Sequence, residues 1–474
     1  TDPASSMLCL RPPHSSQEMI TFMNQTQKKK QSLDMTSGSI TKLLIMFAVP
    51  LVIGNLFQQL YNTVDSLVVG NFVGSHALAA VGSTTSIINM IVMFFTGTSI
   101  GAGVVISRYY GAHDDEKLHI AVETTMAVTF ICGIILTGLG IVVAPFMLKF
   151  MSTPEDVLPS ASIYLKIYFS GVFGLLVYNM GSAILRAVGD TKRPLYFLCL
   201  SSVMNIGLDL LFVVGFGMAI EGVAYATIIS QFVSAILVLI VLTRSKENYR
   251  LTWKDLRIDK KIFRQILMIG LPTGFQQSLT SFSNVYVQSY INTFGSSCMA
   301  GWSSYSKIDQ FVFLPMQSIG QASTTFMSQN LGAGNLPRAK KGTGVALRLA
   351  LLITFASAGV LFLFAPQLVA VFNQEPDVVR YGTLFLRMNV FMLAFCCPNQ
   401  VVAGAMRGAG DSRTPMLIML FSFVLFRQIY LYIATSICNT AAVVGFGYPV
   451  GWIVASVLVE IYYMSGKWEK KINM

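Results

Sequence analysis

The sequence predicts an all-α integral membrane protein: twelve transmembrane helices in two six-helix bundles, related by a pseudo-two-fold axis along the membrane normal. Three observations predict it. First, 54% of the 474 residues are hydrophobic, only 12% are charged, and the mean hydropathy is +0.62. A soluble domain carries about 25% charged residues, so this composition excludes a water-facing globule, a disordered chain and a small disulfide scaffold. Second, the chain repeats itself. Gly181–Pro194 and Gly404–Pro415 share the pattern Arg-x-x-Gly-Asp-x-x-x-Pro, and Arg186 to Arg407 and Pro194 to Pro415 both span 221 residues. Ala144-Pro145 and Ala365-Pro366, Gly111-Ala112 and Gly332-Ala333, and Asp156 and Asp377 keep that offset, while Pro50 and Pro272 differ by 222. Third, each repeat holds six apolar stretches long enough to span, since roughly 20 residues cross a bilayer core.

In order, residues 1–37 are polar and carry Lys28, Lys29 and Lys30. They are expected to form a disordered tail, part of it foreign to the natural chain, and no apolar run follows closely enough to read as a signal peptide. The first bundle, 38–244, has apolar stretches near 42–70, 78–108, 119–147, 158–185, 194–216 and 220–243. A charged linker, 245–261, follows. The second bundle, 262–466, has stretches near 263–292, 299–330, 341–370, 379–406, 415–436 and 442–465, and 467–474 is a second tail.

Basic residues set the expected orientation. Even-numbered connections hold Arg108 and Lys117; Arg186, Lys192 and Arg193; eight Lys or Arg from Arg244 to Arg264; Arg338, Lys340, Lys341 and Arg348; and Arg407 and Arg413. Odd-numbered ones hold only Lys149 and Arg380. This bias puts both termini and the even connections in the cytoplasm of a cell-membrane protein. The net charge of +11 is thereby a topology signal, with no basic-aromatic pattern for nucleic acid. Six spans per repeat give both repeats one direction, the parallel-repeat arrangement.

Polar residues within the spans point to function. In span one, Gln58, Tyr61, Asn62 and Asp65 recur at i, i+3, i+4 and i+7, one helix face. Span five has Ser202, Asn205 and Asp209; span six has Thr227, Ser230, Gln231 and Ser234. Such stripes face one another or a wet cavity rather than lipid. Counting at about 1.5 Å per residue puts all three roughly 10 Å below the outer surface. Asp65 and Asp209 with Asn205 and Thr227 would make a cation or proton site: oxygen ligands suit a hard cation such as Na⁺, and two carboxylates sharing a site suit a proton carrier. The structural alternative is that each Asp caps or hydrogen-bonds a neighbouring helix.

The second repeat differs at these positions. By offset, Asp65 becomes Val287, Asn205 becomes Phe426 and Asp209 becomes Tyr430. Span seven keeps the uncharged stripe Gln277, Ser281, Asn284 and Gln288. Gln58, Tyr61, Asn62, Ser202, Gln231, Gln277 and Asn284 are the candidates for a substrate cavity. Lys307 and Asp309 lie two residues apart, so they point to different sides; Lys307, Asp309 and Arg427 are candidates for an ion pair or gate, with Asp309 and Arg427 expected as an interhelical pair whose role is structural, gating or in substrate binding. The duplicated Arg-x-x-Gly-Asp-x-x-x-Pro segments read as tight turns with helix caps. His76, His113 and His119 form no ligand set, and the seven Cys give no metal spacing. No phosphate loop, nucleophile elbow or metal-binding helix motif appears, so no ATP-driven step or enzyme chemistry is supported.

The run Pro50–Asp65, the duplicated turns, and Ser328-Gln-Asn-Leu-Gly-Ala-Gly334 resemble the MATE family, multidrug and toxic compound extrusion, over 38–466. The resemblance implies two bundles around a central cavity that opens alternately to each side. It implies export of organic, often cationic, compounds against entry of H⁺ or Na⁺, with no cofactor. Within the family the chain is most similar to the DinF-like branch, whose cation site matches Asp65, Asn205, Asp209 and Thr227 and whose span one bends at the proline matching Pro50. Another branch carries a Glu in span seven; here Gln276–Asn284 holds no acid, and that site is not carried over. The expected partners are small organic substrates and membrane lipids, and a monomer suffices. A flippase for lipid-linked precursors is the alternative, which would want a basic cavity for pyrophosphate.

Overall fold

The computed structural model describes residues 33–73, 75–150 and 157–472. The tail to residue 32, Lys28–Lys30, Asp156 of the repeat and the side chain of His76 lie outside the described residues.

The first repeat folds as α1 (Ile40–Val68), extended by a wide π turn at Val69–Val73; α2 (Ser75–Gly111); α3 (Asp115–Phe150); α4 (Leu158–Ala187); α5 (Lys192–Asp209), extended by a π turn at Leu210–Gly215; and α6 (Ile220–Arg244). The second folds as α7 (Lys260–Asn292), α8 (Ser296–Gly332), α9 (Leu336–Leu363, then Ala365–Phe372), α10 (Pro376–Asn389, then Cys396–Gly408), α11 (Arg413–Met419, a π turn at Leu420–Phe426, then Arg427–Ile437) and α12 (Ala441–Gly445, then Gly447–Met464). The twelve expected spans are all helical.

Among the described residues, nine helices are long and apolar enough to cross a membrane, and α10 counts as a tenth although it bends by 46°. The bend has a local cause. Pro398 has no N–H to reach back to the Ala394 carbonyl, and a tight turn at Met392–Phe395 precedes it. The remaining two, α7 and α8, have 33 and 37 residues. They are long enough but too polar, because one face of each lines the interior of the molecule. On α3, by contrast, Ile135, Leu139, Val142 and Phe146 recur at helical spacing and are exposed, an outward apolar stripe suited to lipid.

The duplication is visible in the packing. A side chain at Gly111 would collide with the Gln329 backbone, and one at Gly332 with the Arg108 carbonyl. The second contact is the first displaced by 221 residues in both partners. The opening helices are exchanged in the same reciprocal way. Leu44 and Phe47 of α1 are buried in the second repeat's core with Met316 and Ile319. Ile266 and Ile269 of α7 are buried in the first repeat's core with Val105 and Ile184. The halves therefore interlock at the end of the molecule where the two described termini lie.

That end is sealed. Ser328 Oγ donates to the Val104 carbonyl (2.6 Å) and Gln329 Nε2 to the Ala187 carbonyl (2.8 Å). Residues 33–38 belong to the seal, which corrects the expectation of a disordered stretch to residue 37. Met35 is fully buried; its N–H donates to Gln329 Oε1, and its carbonyl accepts from Asn330 and Arg338. The linker is also packed. Tyr249 and Leu251 are buried in the first repeat's core, Trp253 stacks on Phe130, and Asp259 caps α7 by accepting from the N–H groups of Lys261 and Ile262.

Candidate functional site

Two polar regions lie within the spans. The first is inside the first repeat, where α1 and α6 both pack on α5. Asp65 of α1 and Asp209 of α5 come within hydrogen-bonding range of each other. Asp209 is fully buried and Asn205, one turn earlier on α5, is buried with it. On α6, Thr227 Oγ1 donates to the Val223 carbonyl of its own helix (3.0 Å), which leaves its lone pairs available. Among the described residues, Asp65 Oδ1, both Asp209 oxygens, both Asn205 amide atoms and Ser230 Oγ are buried without a hydrogen-bond partner.

Such a set of orphaned polar atoms needs an explanation, because native structures hold few. Two carboxylate oxygens at hydrogen-bonding range bond only if one carries a proton; as two anions they have no donor between them. Among the described residues neither carboxylate caps a helix by accepting its N–H, while the contact of Asp65 with Asp209 joins neighbouring helices as the structural alternative also expects. The donor set fits a proton or a hard cation held by oxygen ligands. Both acids also stand beside irregular backbone: Asp209 immediately precedes the π turn of α5, and Asp65 lies one turn before that of α1. Such turns are frequent at functional sites.

The second region is a cavity of about 450 Å³ between the repeats. Its walls come from α2 (Met93, Thr96, Ser99), α7 (Gln276, Gln277, Asn284), α8 (Trp302, Tyr305, Asp309), α11 (Phe423, Arg427) and α12 (Tyr448, Trp452). Gln277, Asn284, Asp309 and Arg427 are thus gathered at one cavity. Gln58, Tyr61, Asn62, Ser202 and Gln231, which the sequence assigns to a cavity, do not line this one; their helix faces turn to the first repeat's interior or its surface. Asp65, Asn205, Asp209 and Thr227 do not line it either. The acidic cluster and the cavity are separate places.

The ion pair expected between Asp309 and Arg427 does not form within 4.0 Å. Arg427 is buried and sits 4.8 Å from the Tyr448 ring centroid, while its Nη2 donates to Ser283 Oγ (2.5 Å) and Asn284 Oδ1 (3.0 Å). Asp309 Oδ1 is buried without a partner. Neutral polar side chains of α7 have taken the role assigned to the acid. Lys307 does not line the cavity, and its ammonium lies 5.5 Å from the Phe372 ring centroid. α1 runs as one helix through Pro50.

Some residues escaped sequence reading. Arg186 and Arg407, assigned only to turns, line the cavity near its sealed end. The turns do form: Gly189 and Gly410 take positive φ (89° and 97°), and Asp190 and Asp411 accept from the N–H groups of Arg193 and Thr414. The arginines precede them on the last helical turn and face inward, a direction that only the rotation of α4 and α10 fixes. His119 departs from the expectation of no ligand set. Its Nε2 is 2.7 Å from Glu123 Oε1 and 4.0 Å from Asp255 Oδ2, a group invisible in sequence because Asp255 arrives from the linker. Cys298 and Cys438 are free thiols.

Comparison with known proteins agrees with this architecture. The MatE family profile matches twice, over residues 50–211 and 272–433, once in each repeat. The chain is 28% identical over 440 residues to the probable multidrug resistance protein YpnP of Bacillus subtilis, covering 93% of this chain and 98% of that protein. It is 27% identical over 439 residues to the probable multidrug resistance protein NorM of Thermotoga maritima, covering 91% and 94%. An outward-facing structure of a multidrug resistance MATE family transporter of the MOP superfamily superposes with a TM-score of 0.87 at 23% identity, covering 94% of this chain and 99% of that one; this likeness shows the fold.

Proposed function

The chain belongs to the MatE family, and from that premise we propose that it is a secondary active exporter of organic compounds, driven by H⁺ or Na⁺ entry and working by alternating access. It is a transporter, not an enzyme, in a cell membrane with both termini in the cytoplasm. The observation that carries the reading is the acidic pair of half-buried Asp65 and fully buried Asp209, with Asp65 Oδ1 and both Asp209 oxygens unpartnered among the described residues, apart from a cavity large enough for a small organic molecule. A site for the driving ion and a site for the cargo are what an antiporter needs.

The mechanism follows from these residues. A proton or Na⁺ entering from outside binds between Asp65 and Asp209, with Asn205 and Thr227 as neutral ligands. Neutralising the pair removes the repulsion between α1 and α5. α1, which holds Pro50 and whose start is buried in the opposite repeat, transmits the change to the seal. One charge crossing 100 mV supplies about 2.3 kcal/mol, enough for roughly a forty-fold substrate gradient.

The test is efflux of a fluorescent rhodamine ester and of its free acid from proteoliposomes under an imposed proton or Na⁺ gradient, with wild type and Asp65→Asn side by side. Movement of either dye under one gradient, lost in the variant while the protein stays folded, is the expected result. Full gradient-driven activity in Asp65→Asn would sink the coupling role. The flippase alternative has one observation in its favour, the arginines in the cavity lining; transport of lipid-linked precursors with no gradient-driven dye efflux would select it.

A further inference from the structure

The charge of the central cavity bears on its cargo. Four charged side chains line it: Arg186, Arg407, Arg427 and Asp309. The lining therefore has a formal excess of two positive charges, and its remaining walls are uncharged: aromatic, amide, hydroxyl and aliphatic. None of the three guanidinium groups makes an ion pair within 4.0 Å among the described residues. Arg407 and Arg427 are 8% and 2% exposed, and the Nε of each is buried without a partner.

An ionised side chain inside a membrane protein is costly and pairs with something. Here the protein supplies no acid to three arginines. The only acid of the lining, Asp309, stands off from Arg427 although both border the same space. On Arg427, the Nη2 corner is held by Ser283 and Asn284. Those bonds fix the guanidinium plane and use Nη2, Nε is buried, and Nη1 is the corner left for an incoming acceptor; a guanidinium of fixed orientation suits a carboxylate or phosphate oxygen. Trp302 and Tyr448 line the same cavity, with ring centroids 5.3 Å apart, a wall for a flat or apolar body.

We propose that the cavity binds organic compounds that carry an anionic group, a carboxylate or phosphate ester, on an aromatic or apolar body: organic anions and zwitterions rather than simple organic cations. Arg427 takes the anionic group, and Arg186 and Arg407 add the field that draws it in. Asp309 accommodates an amine on the same molecule without replacing the anion as the recognised feature. This rests on the export reading for the identity of the cavity as the cargo site.

The experiment measures equilibrium binding, by fluorescence polarisation, of a rhodamine methyl ester (a permanent cation) and its free acid (a zwitterion on the same ring system) to the full chain in nanodiscs, with no gradient present. Wild type is expected to bind the acid roughly tenfold more tightly, the size of one charge-assisted hydrogen-bonded contact. Arg427→Gln removes that preference, read as the ratio of acid to ester binding in the same variant; Arg427→Lys retains part of it. Wild type binding the ester as tightly as the acid, or neither dye, overturns the inference without reference to any variant. The companion flux assay separates the two claims. Gradient-driven export of the ester but not the acid overturns this inference and leaves the export reading standing. Tight binding of the acid with no gradient-driven movement of either dye does the reverse.

Discussion

At the scale of single residues, the chain keeps several charges in its membrane-spanning region and treats them differently. Arg427 is tied by Ser283, whose hydroxyl also accepts from Gln428 Nε2 (2.8 Å) and donates to the Phe423 carbonyl (2.6 Å). One small side chain thus joins α7 to the π turn of α11. Ser283→Ala takes one acceptor each from Arg427 Nη2 and Gln428 Nε2, which keep Asn284 Oδ1 and the residue-283 carbonyl, and removes the hydroxyl donor to the Phe423 carbonyl, an effect of about 1–3 kcal/mol. A reduced unfolding free energy of that order is expected from denaturant titration in detergent, together with weakened binding of the acid dye, because the guanidinium loses its anchor. Unchanged stability would mean that a water replaces the hydroxyl. Asp65 Oδ1 and both Asp209 oxygens, by contrast, have no donor among the described residues.

At the scale of helices, close backbone approach adds to the exchanged side chains in holding the repeats together. α2 crosses α7 with Gly101 against Gly270 and Gly97 against Gly274, where an added Cβ would meet backbone atoms of the partner helix. The reciprocal contacts at Gly111 and Gly332 close the end near the termini. Backbone cannot give way as a flexible side chain can, so Gly111→Val forces α2 from α8. A cysteine at Gly103, which lines the cavity and has room for a side chain, reports on this. In a background without other reactive thiols, its labelling by an impermeant maleimide from the side of the termini is expected to rise several-fold in Gly111→Val. No rise would mean that the seal is held by Met35, Gln329 and Asn330 alone.

At the scale of the whole molecule, the proposed driving-ion site sits in one repeat and the proposed cargo cavity between both, so on this proposal coupling would run through the exchanged helices α1 and α7. Binding of an ion to the folded state stabilises it by mass action, about 2.7 kcal/mol at a hundredfold excess over the dissociation constant. Added Na⁺, or acid, is expected to raise the melting temperature of wild type but not of Asp209→Asn. A thermal shift of equal size in that variant would place the ion elsewhere. The substitution keeps the side chain's shape and removes its charge, so the comparison isolates the carboxylate.

How much of this was legible depends on the range of the interaction. The twelve spans, the duplication and the Asp190 and Asp411 turns rest on local pattern: apolar length against bilayer thickness, a fixed offset, a Gly that takes positive φ beside a capping Asp. The sequence by itself determined these, because backbone groups in lipid must bond within their own segment and so leave helices as the solution. It also singled out Asp65 and Asp209 as polar residues on buried helix faces. The tertiary structure alone decided which faces meet. It turned Arg186 and Arg407 into the cavity, set Asp309 apart from Arg427, drew Met35 into the seal, and brought Asp255 to His119. Each of these outcomes depends on helix rotation and on contacts between residues far apart in the chain. Periodicity within a single helix identifies its polar face but carries no information about the neighbour that face will find.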